Sequence, residues 1–295
     1  MSTGAVSTGA VSVPLISGLS AGAVAVAVTL LIERLGGVRG GLLATVPTTI
    51  VPASIGLWLQ LSPLGAELGA QEGAARFAEA MWATPPTVCL NAGFLWLWAI
   101  IPPKLPHGWS LPARLTCMSA GAVGAWLLGA WAWVRVGGAL CEPWVAAWGA
   151  VALTFTLGML ATRTPRPAPR GGRRVGAGVL LLRALGACVA VGLAVGVSRF
   201  TSGAVAGVIS VFPAIFWTTM VSLWLSQGVA VPAGAVGPMM LGTGSVGAYA
   251  LASTYTFPRL GVGLGALCAW LIAALCVSLP AYGWLLSRAR RSTQR

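Results

Sequence analysis

Apolar runs separated by short polar or Gly/Pro-rich breaks set the pattern of this chain, and about nine of them approach the 20 or so residues that a helix needs to cross a bilayer. They lie at about 13–32, 37–59, 77–101, 113–134, 143–161, 175–197, 203–225, 231–255 and 260–286. An uncharged Ser/Thr/Gly/Ala tail at 1–12 precedes them and lacks the basic start of a cleaved signal peptide. The breaks include Glu33-Arg34 with a Gly-rich turn at 36–40, a polar loop at 61–76 with Glu67 and Glu72, and a Pro-rich loop at 102–112 that holds His107. The longest is TRTPRPAPRGGRR at 162–174, a Pro/Arg/Gly hinge with five arginines, and the Arg-rich segment 288–295 closes the chain.

One run occurs twice. The stretch 37–59, GVRGGLLATVPTTIVPASIGLWL, aligns without a gap on 203–225, GAVAGVISVFPAIFWTTMVSLWL. The copies share Gly37/Gly203, Gly41/Gly207, Pro47/Pro213 and Leu57-Trp58-Leu59/Leu223-Trp224-Leu225, six identities in 23 positions, where a shuffled chain of this composition gives roughly two. Weaker likenesses join Ala125-Trp126-Leu127 to Ala269-Trp270-Leu271 and Phe94 to Tyr249. An internal duplication follows: a tail at 1–12, a four-helix repeat at 13–136, a linker helix with the hinge at 143–174, a second repeat at 175–287, and a basic tail at 288–295. Each copy has a proline inside an apolar run, which costs one backbone hydrogen bond and requires the freed carbonyl to find another donor. Simple kinking is the plainer account of those prolines.

Composition fixes the class. Hydrophobic residues fill 57% of the chain and charged ones 8%, and the mean hydropathy is +0.86, so a water-soluble fold has nowhere to put its apolar surface. The expected architecture is all-α, a polytopic membrane helix bundle of about nine transmembrane helices. The net charge of +13 comes from 18 Lys and Arg against five Glu and no Asp. With nine spans, thirteen of those cations fall on one side: Arg34, Arg39, Lys104, Arg114, the five hinge arginines and the four after Leu286. Four fall on the other side, Arg76, Arg135, Arg199 and Arg259, and Arg183 lies within a span. The positive-inside rule then puts the N-terminus outside and the C-terminus in the cytoplasm. Basic loops facing an anionic leaflet account for the charge without a nucleic-acid partner. Because a fifth, unpaired span separates the repeats, they enter the membrane from opposite sides as an inverted 4+1+4 repeat with Pro-broken helices, an arrangement common among secondary transporters.

The Gly-rich turn, the Val46-Pro47-Thr48 and Phe212-Pro213-Ala214 breaks and the closing RLGVGLGALCAWLIAALCV at 259–277 resemble the GlpM-like small bacterial inner-membrane proteins. Those are single four-span units, so the resemblance implies two such units fused through a linker helix. It implies an integral membrane protein and carries no catalytic residue or substrate.

Candidate chemistry gathers at the proline breaks. The helix-break set is Pro47, Pro52, Pro85, Pro86, Pro213 and Pro238. Around it lie Thr48, Thr49 and Ser54 in the second run, Thr87 and Asn91 in the third, Thr218 and Thr219 in the seventh, and Thr243, Ser245 and Tyr249 in the eighth. Freed carbonyls and hydroxyls at similar depth suit a cation or polar solute, and helix N-termini suit an anion. The plainer reading is close helix packing, with small-xxx-small pairs at Gly37/Gly41, Gly203/Gly207 and Gly261/Gly265. Glu79, near the outer end of its span, is a candidate proton or cation site, and Arg183 a candidate contact for an anion; Arg183 also has the reach to snorkel to the cytoplasmic surface. His107 reads as a solvated loop residue, and the 14 Trp as interfacial, lipid-facing anchors. The six cysteines show no metal-ligand or disulfide spacing.

Two functions fit. One is a carrier or permease for a small solute or ion, with its site between the repeats. The other is a non-transporting membrane scaffold or accessory subunit. An enzyme is not expected: there is one His, no Asp, and no H-E-x-x-H, G-x-S-x-G or paired-carboxylate spacing, so neither a cofactor nor a metal is called for. The bilayer is the expected partner, and a homo-oligomer is compatible with the sequence.

Overall fold

The computed structural model describes residues 3–35, 46–62, 70–106, 108–163, 176–227 and 230–293. The Gly-rich turn and first part of the duplicated stretch, part of the loop after the second run, His107 and most of the hinge lie outside the described residues. All regular structure among the described residues is helical. The helices are α1 Thr3–Leu35, α2 Ile50–Leu61, α3 Ala70–Ile100, α4 Leu111–Leu140, α5 Pro143–Ala161, α6 Ala177–Val197, α7 Gly203–Ser210, α8 Ala214–Gln227, α9 Ala230–Ala273 and α10 Leu279–Thr293. A single 3₁₀ turn, Pro102–Lys104, follows α3, and a π-helical turn, Ala274–Ser278, joins α9 to α10.

Among the described residues seven stretches are long and apolar enough to cross a membrane, the first being Ser12–Leu31 and the last Ala235–Arg288. Of the second expected span the described part is α2, with 12 residues. The eighth and ninth runs form one helical stretch that doubles back at Gly261, whose φ of 73° and ψ of 172° are open to glycine and strained for other residues. The reversal is tight: the Thr256 hydroxyl donates to the Gly265 carbonyl at 2.8 Å, and a Cβ on Gly265 would sit 2.9 Å from the Phe257 Cα. Gly261 itself has open space around it, so it serves the turn and not the small-residue packing expected of it.

Many large apolar side chains point outward, toward lipid. Leu15, Ile16 and Leu19 on α1, Leu181, Leu185, Val189 and Leu193 on α6, and Leu264 and Leu267 on α9 are exposed. Where α1 crosses α6 the contact is made by glycine: a Cβ on Gly22 would come 2.9 Å from the Ala184 carbonyl oxygen. Lipid does not drive helices together as water does, so close backbone approach and dispersion supply the association. Helix α3 runs through the middle, buried along one face from Phe77 to Trp98, and packs on α4, α5, α7 and α9. One apolar cluster surrounds Phe77, Leu57 and Phe257. A second surrounds Trp98, Trp126, Met220 and Trp224. Trp98, Trp126 and Trp224 are therefore core residues, contrary to an interfacial role, while Trp96, Trp131, Trp144 and Trp148 keep exposed positions.

The prolines divide into two kinds. Pro47 lies in non-helical chain before α2, and Pro213 separates α7 from α8. The other four are not breaks. Pro52 is in the first turn of α2, where its missing N–H had no helical partner to lose. Pro85 and Pro86 stand inside α3 and Pro238 inside α9, with the helix continuing through each. Buried flanking turns hold these segments helical despite the lost bonds.

Candidate functional site

The junction between the duplicated stretches and the helices they meet is built around α3. Helix α7 ends at Ser210 because Pro213, three residues on, cannot continue the ladder. Phe212 N–H turns back to the Ile209 carbonyl at 3.1 Å, and the next helix restarts with Trp217 N–H on the Pro213 carbonyl at 2.8 Å. The Val211 carbonyl between them is taken by a side chain: Asn91 Nδ2 donates to it at 2.9 Å. The Asn91 carbonyl oxygen accepts the Trp126 indole N–H at 2.6 Å. One buried amide thus ties α3, α4 and the α7–α8 break together, and both its ends are used.

The opposite end of α7 is also held by α3. Glu79 Oε2 accepts from Gly203 N–H at 3.1 Å, a carboxylate placed at a helix N-terminus, where its charge is favoured. Ser202 supplies the ordinary cap to Val205 N–H at 3.4 Å. Between the two ends Gly207 lies against the Ala80 backbone, so the small-residue reading of Gly203 and Gly207 is what the packing uses. Glu79 is a helix cap here.

The first copy makes a corresponding contact with the other half. Ser54 on α2 and Tyr249 on α9, both fully buried, share a hydrogen bond of 2.8 Å between hydroxyls, and Ser54 also donates to Val51 O at 2.9 Å. The shared tryptophans behave in parallel. Trp58 meets Phe77 edge-on at 5.0 Å and Phe257 at 5.7 Å. Trp224 meets Trp98 edge-on at 5.8 Å.

The remaining candidates are closed on their own helices. Thr87 donates to Ala83 O at 2.8 Å, Thr218 to Ala214 O at 2.9 Å and Thr219 to Ile215 O at 2.6 Å. Thr243 donates to Met240 O at 2.7 Å and Ser245 to Gly242 O at 2.8 Å. Such i−3 and i−4 bonds satisfy a hydroxyl in an apolar setting without a ligand. Thr48 and Thr49 are half-buried at the entry to α2, and Thr49 makes no side-chain cap. Arg183 does not snorkel: it is 8% exposed and its Nη1 donates to Thr29 Oγ1 on α1 at 3.2 Å. Three contributors escaped the sequence reading, namely Trp126, Thr29 and the Val211 carbonyl. A lone Asn in an apolar span was the available signal that a buried partner must exist.

A cavity of about 730 Å³ opens beside this junction, between α4, α6 and the α7–α8 break. Its walls are almost wholly apolar and include Trp126, Trp131, Gly186, Val189 and Phe212. Among the described residues no three His, Cys, Asp or Glu side chains come together as a metal site would require.

The fold and its outward-facing leucines define an all-helical, multi-pass integral membrane protein. No family model, curated protein or solved structure matches the chain.

Proposed function

We propose that the protein is a carrier or permease for a small solute, built of two inverted four-span units joined by a linker helix, nine spans in all. The reading places the N-terminus outside and the C-terminus in the cytoplasm, with a duplicated GlpM-like unit as its ancestry. The crossed contact of the two copies supports it best: α2 of the first reaches Tyr249 in the second half, and the break after α7 in the second reaches Asn91 in the first. A helix interrupted part-way along, as at Pro213, and held by the opposite unit suits alternating access. In this reading Ser54–Tyr249 and Asn91–Val211 are contacts of a closed arrangement that exchange during transport, and no covalent chemistry is involved.

Cysteine accessibility scanning along 46–54 and 210–220 in a Cys-depleted background tests it. Reagents added from opposite sides should reach the two breaks alternately. Labelling of neither break from either side ends the carrier reading.

One set of observations favours the scaffold instead. The hydroxyls of Thr87, Thr218, Thr219 and Thr243 bond within their own helices, as expected where small residues serve packing alone. A scaffold leaves the scan silent and makes substitutions at Asn91 and Ser54 purely a matter of stability.

A further inference from the structure

The cavity beside α7 has three features that point to an occupant, and none depends on whether the chain carries a solute. The first is size. Its 730 Å³ falls within the roughly 300–1,000 Å³ of ligand pockets. Along α6 its lining runs from Leu182 to Leu193, a rise of about 16 Å, against about 15 Å for one leaflet of hydrocarbon.

The second is access. Leu182, Leu185, Val189 and Leu193 on one wall and Leu127 and Trp131 on the other are exposed on the outer face of the bundle. The slot is therefore open sideways to the bilayer.

The third is charge at one end only. Asn91 lies beside Trp126, and Leu90 beside Gly129, so α4 runs antiparallel to α3. Gly203 lies on Arg76 and Gly207 on Ala80, so α7 runs parallel to α3. The short 198–202 connection then puts Leu193 at the Val205 end, and the same end receives Val134 of α4. The next residue, Arg135, is exposed, and its guanidinium sits 5.9 Å from the Trp131 ring centroid on the cavity wall. Arg199 follows α6 at that end with its Nε buried and without a hydrogen-bond partner among the described residues. Neither arginine forms an ion pair among the described residues. Of the carboxylates at this end, Glu79 is engaged with Gly203 N–H, Glu72 pairs with Arg76, and Glu142, at the start of α5, forms no ion pair with either arginine among the described residues. At the opposite end Arg183, beside Leu182, is turned to Thr29 on α1.

We propose that this slot binds one acyl chain of an anionic phospholipid, with the headgroup phosphate at Arg135. The apolar walls take the chain, and the cation at the mouth selects the sign of the head.

The test uses the full chain in phosphatidylcholine nanodiscs. Trace phosphatidylglycerol or phosphatidylcholine carrying a photoreactive diazirine on one acyl chain is added, and the crosslinks are mapped by mass spectrometry. The phosphatidylglycerol probe should label residues 126–134 and 182–193 about fivefold more than the phosphatidylcholine probe, the preference expected of one arginine near the headgroups. Arg135→Gln should abolish that preference. Arg259→Gln should leave it intact, although Arg259 sits over Tyr255 at the same 5.9 Å. Val189→Phe, which fills the slot from its exposed side, should lower labelling by both probes. Equal labelling by the two probes in the wild-type protein, or labelling outside these segments, overturns the proposal whatever the variants do.

Discussion

Ser54 and Tyr249 stand 195 positions apart in the chain and share a 2.8 Å hydrogen bond with no exposed surface on either residue. Both hydroxyls are buried, and each supplies the other with a partner from the opposite half of the chain. Ser54→Ala, Tyr249→Phe and the double variant form a thermodynamic cycle that isolates the pair. Unfolding in mixed micelles should give a coupling of about 0.6 kcal/mol and no more than about 1.7 kcal/mol, the range for hydrogen bonds between membrane helices. A coupling of zero would mean that the two hydroxyls merely lie side by side.

Asn91 should matter more, because its removal strands two groups at once. Asn91→Leu leaves the Val211 carbonyl and the Trp126 indole N–H without their donor and acceptor, at about 1–3 kcal/mol for each buried orphan. Trp126→Phe strands a single group, the Asn91 carbonyl oxygen, and loses some indole packing besides. Thermal melts in detergent should therefore rank Asn91→Leu below wild type by more than Asn91→Asp, which still accepts from Trp126.

Glu79 separates charge from hydrogen bonding. Glu79→Gln keeps an acceptor for Gly203 N–H and gives up only the interaction of a carboxylate with the helix terminus, about 0.3–1 kcal/mol. Glu79→Ala removes the cap as well and should cost about 1 kcal/mol more. If Glu79 moves protons or cations in transport, the Gln variant will fail in flux while melting almost as wild type does.

Gly261 offers a test of the hairpin within α9. Its surroundings leave room for a side chain, so Gly261→Ala meets only the backbone penalty of a φ of 73° with a ψ of 172°, a region essentially reserved for glycine, about 1–3 kcal/mol. Gly261→Asn should cost as much, since the left-handed conformation that Asn tolerates has a ψ of about +47°, far from the 172° of this turn. An alanine variant that melts with the wild type would show that the reversal between Thr256 and Gly265 does not need glycine.

The membrane class and most of the helix positions were legible in the sequence, because apolar length needs no knowledge of neighbours. Pro213 was recognisable as a break for the same reason, while the run that leads into Pro47 lies outside the described residues. Pro85, Pro86 and Pro238 misled, since whether a proline breaks a helix depends on how firmly the flanking turns are held, and that is a tertiary property. Asn91 could be singled out as a lone amide, but not its partners: the Val211 carbonyl is backbone, and Trp126 looks like any other membrane tryptophan. Arg183 reads as a snorkelling cation until Thr29, 154 positions away, is placed beside it. Gly261 carried the same small-residue spacing as Gly203 and Gly207, and spacing does not distinguish a groove from a turn.

The eight-residue rod at Gly203–Ser210 is encoded with the C-terminal helices yet bolted at Gly203 and Val211 to Glu79 and Asn91. In this arrangement it lies against the N-terminal portion, so the boundary between the two halves in space passes through the 198–202 connection and the Pro213 step, far from the arginine-rich junction in sequence. Two polypeptides severed between Arg163 and Gly176 would still clasp one another, each lending the other a piece of its interior.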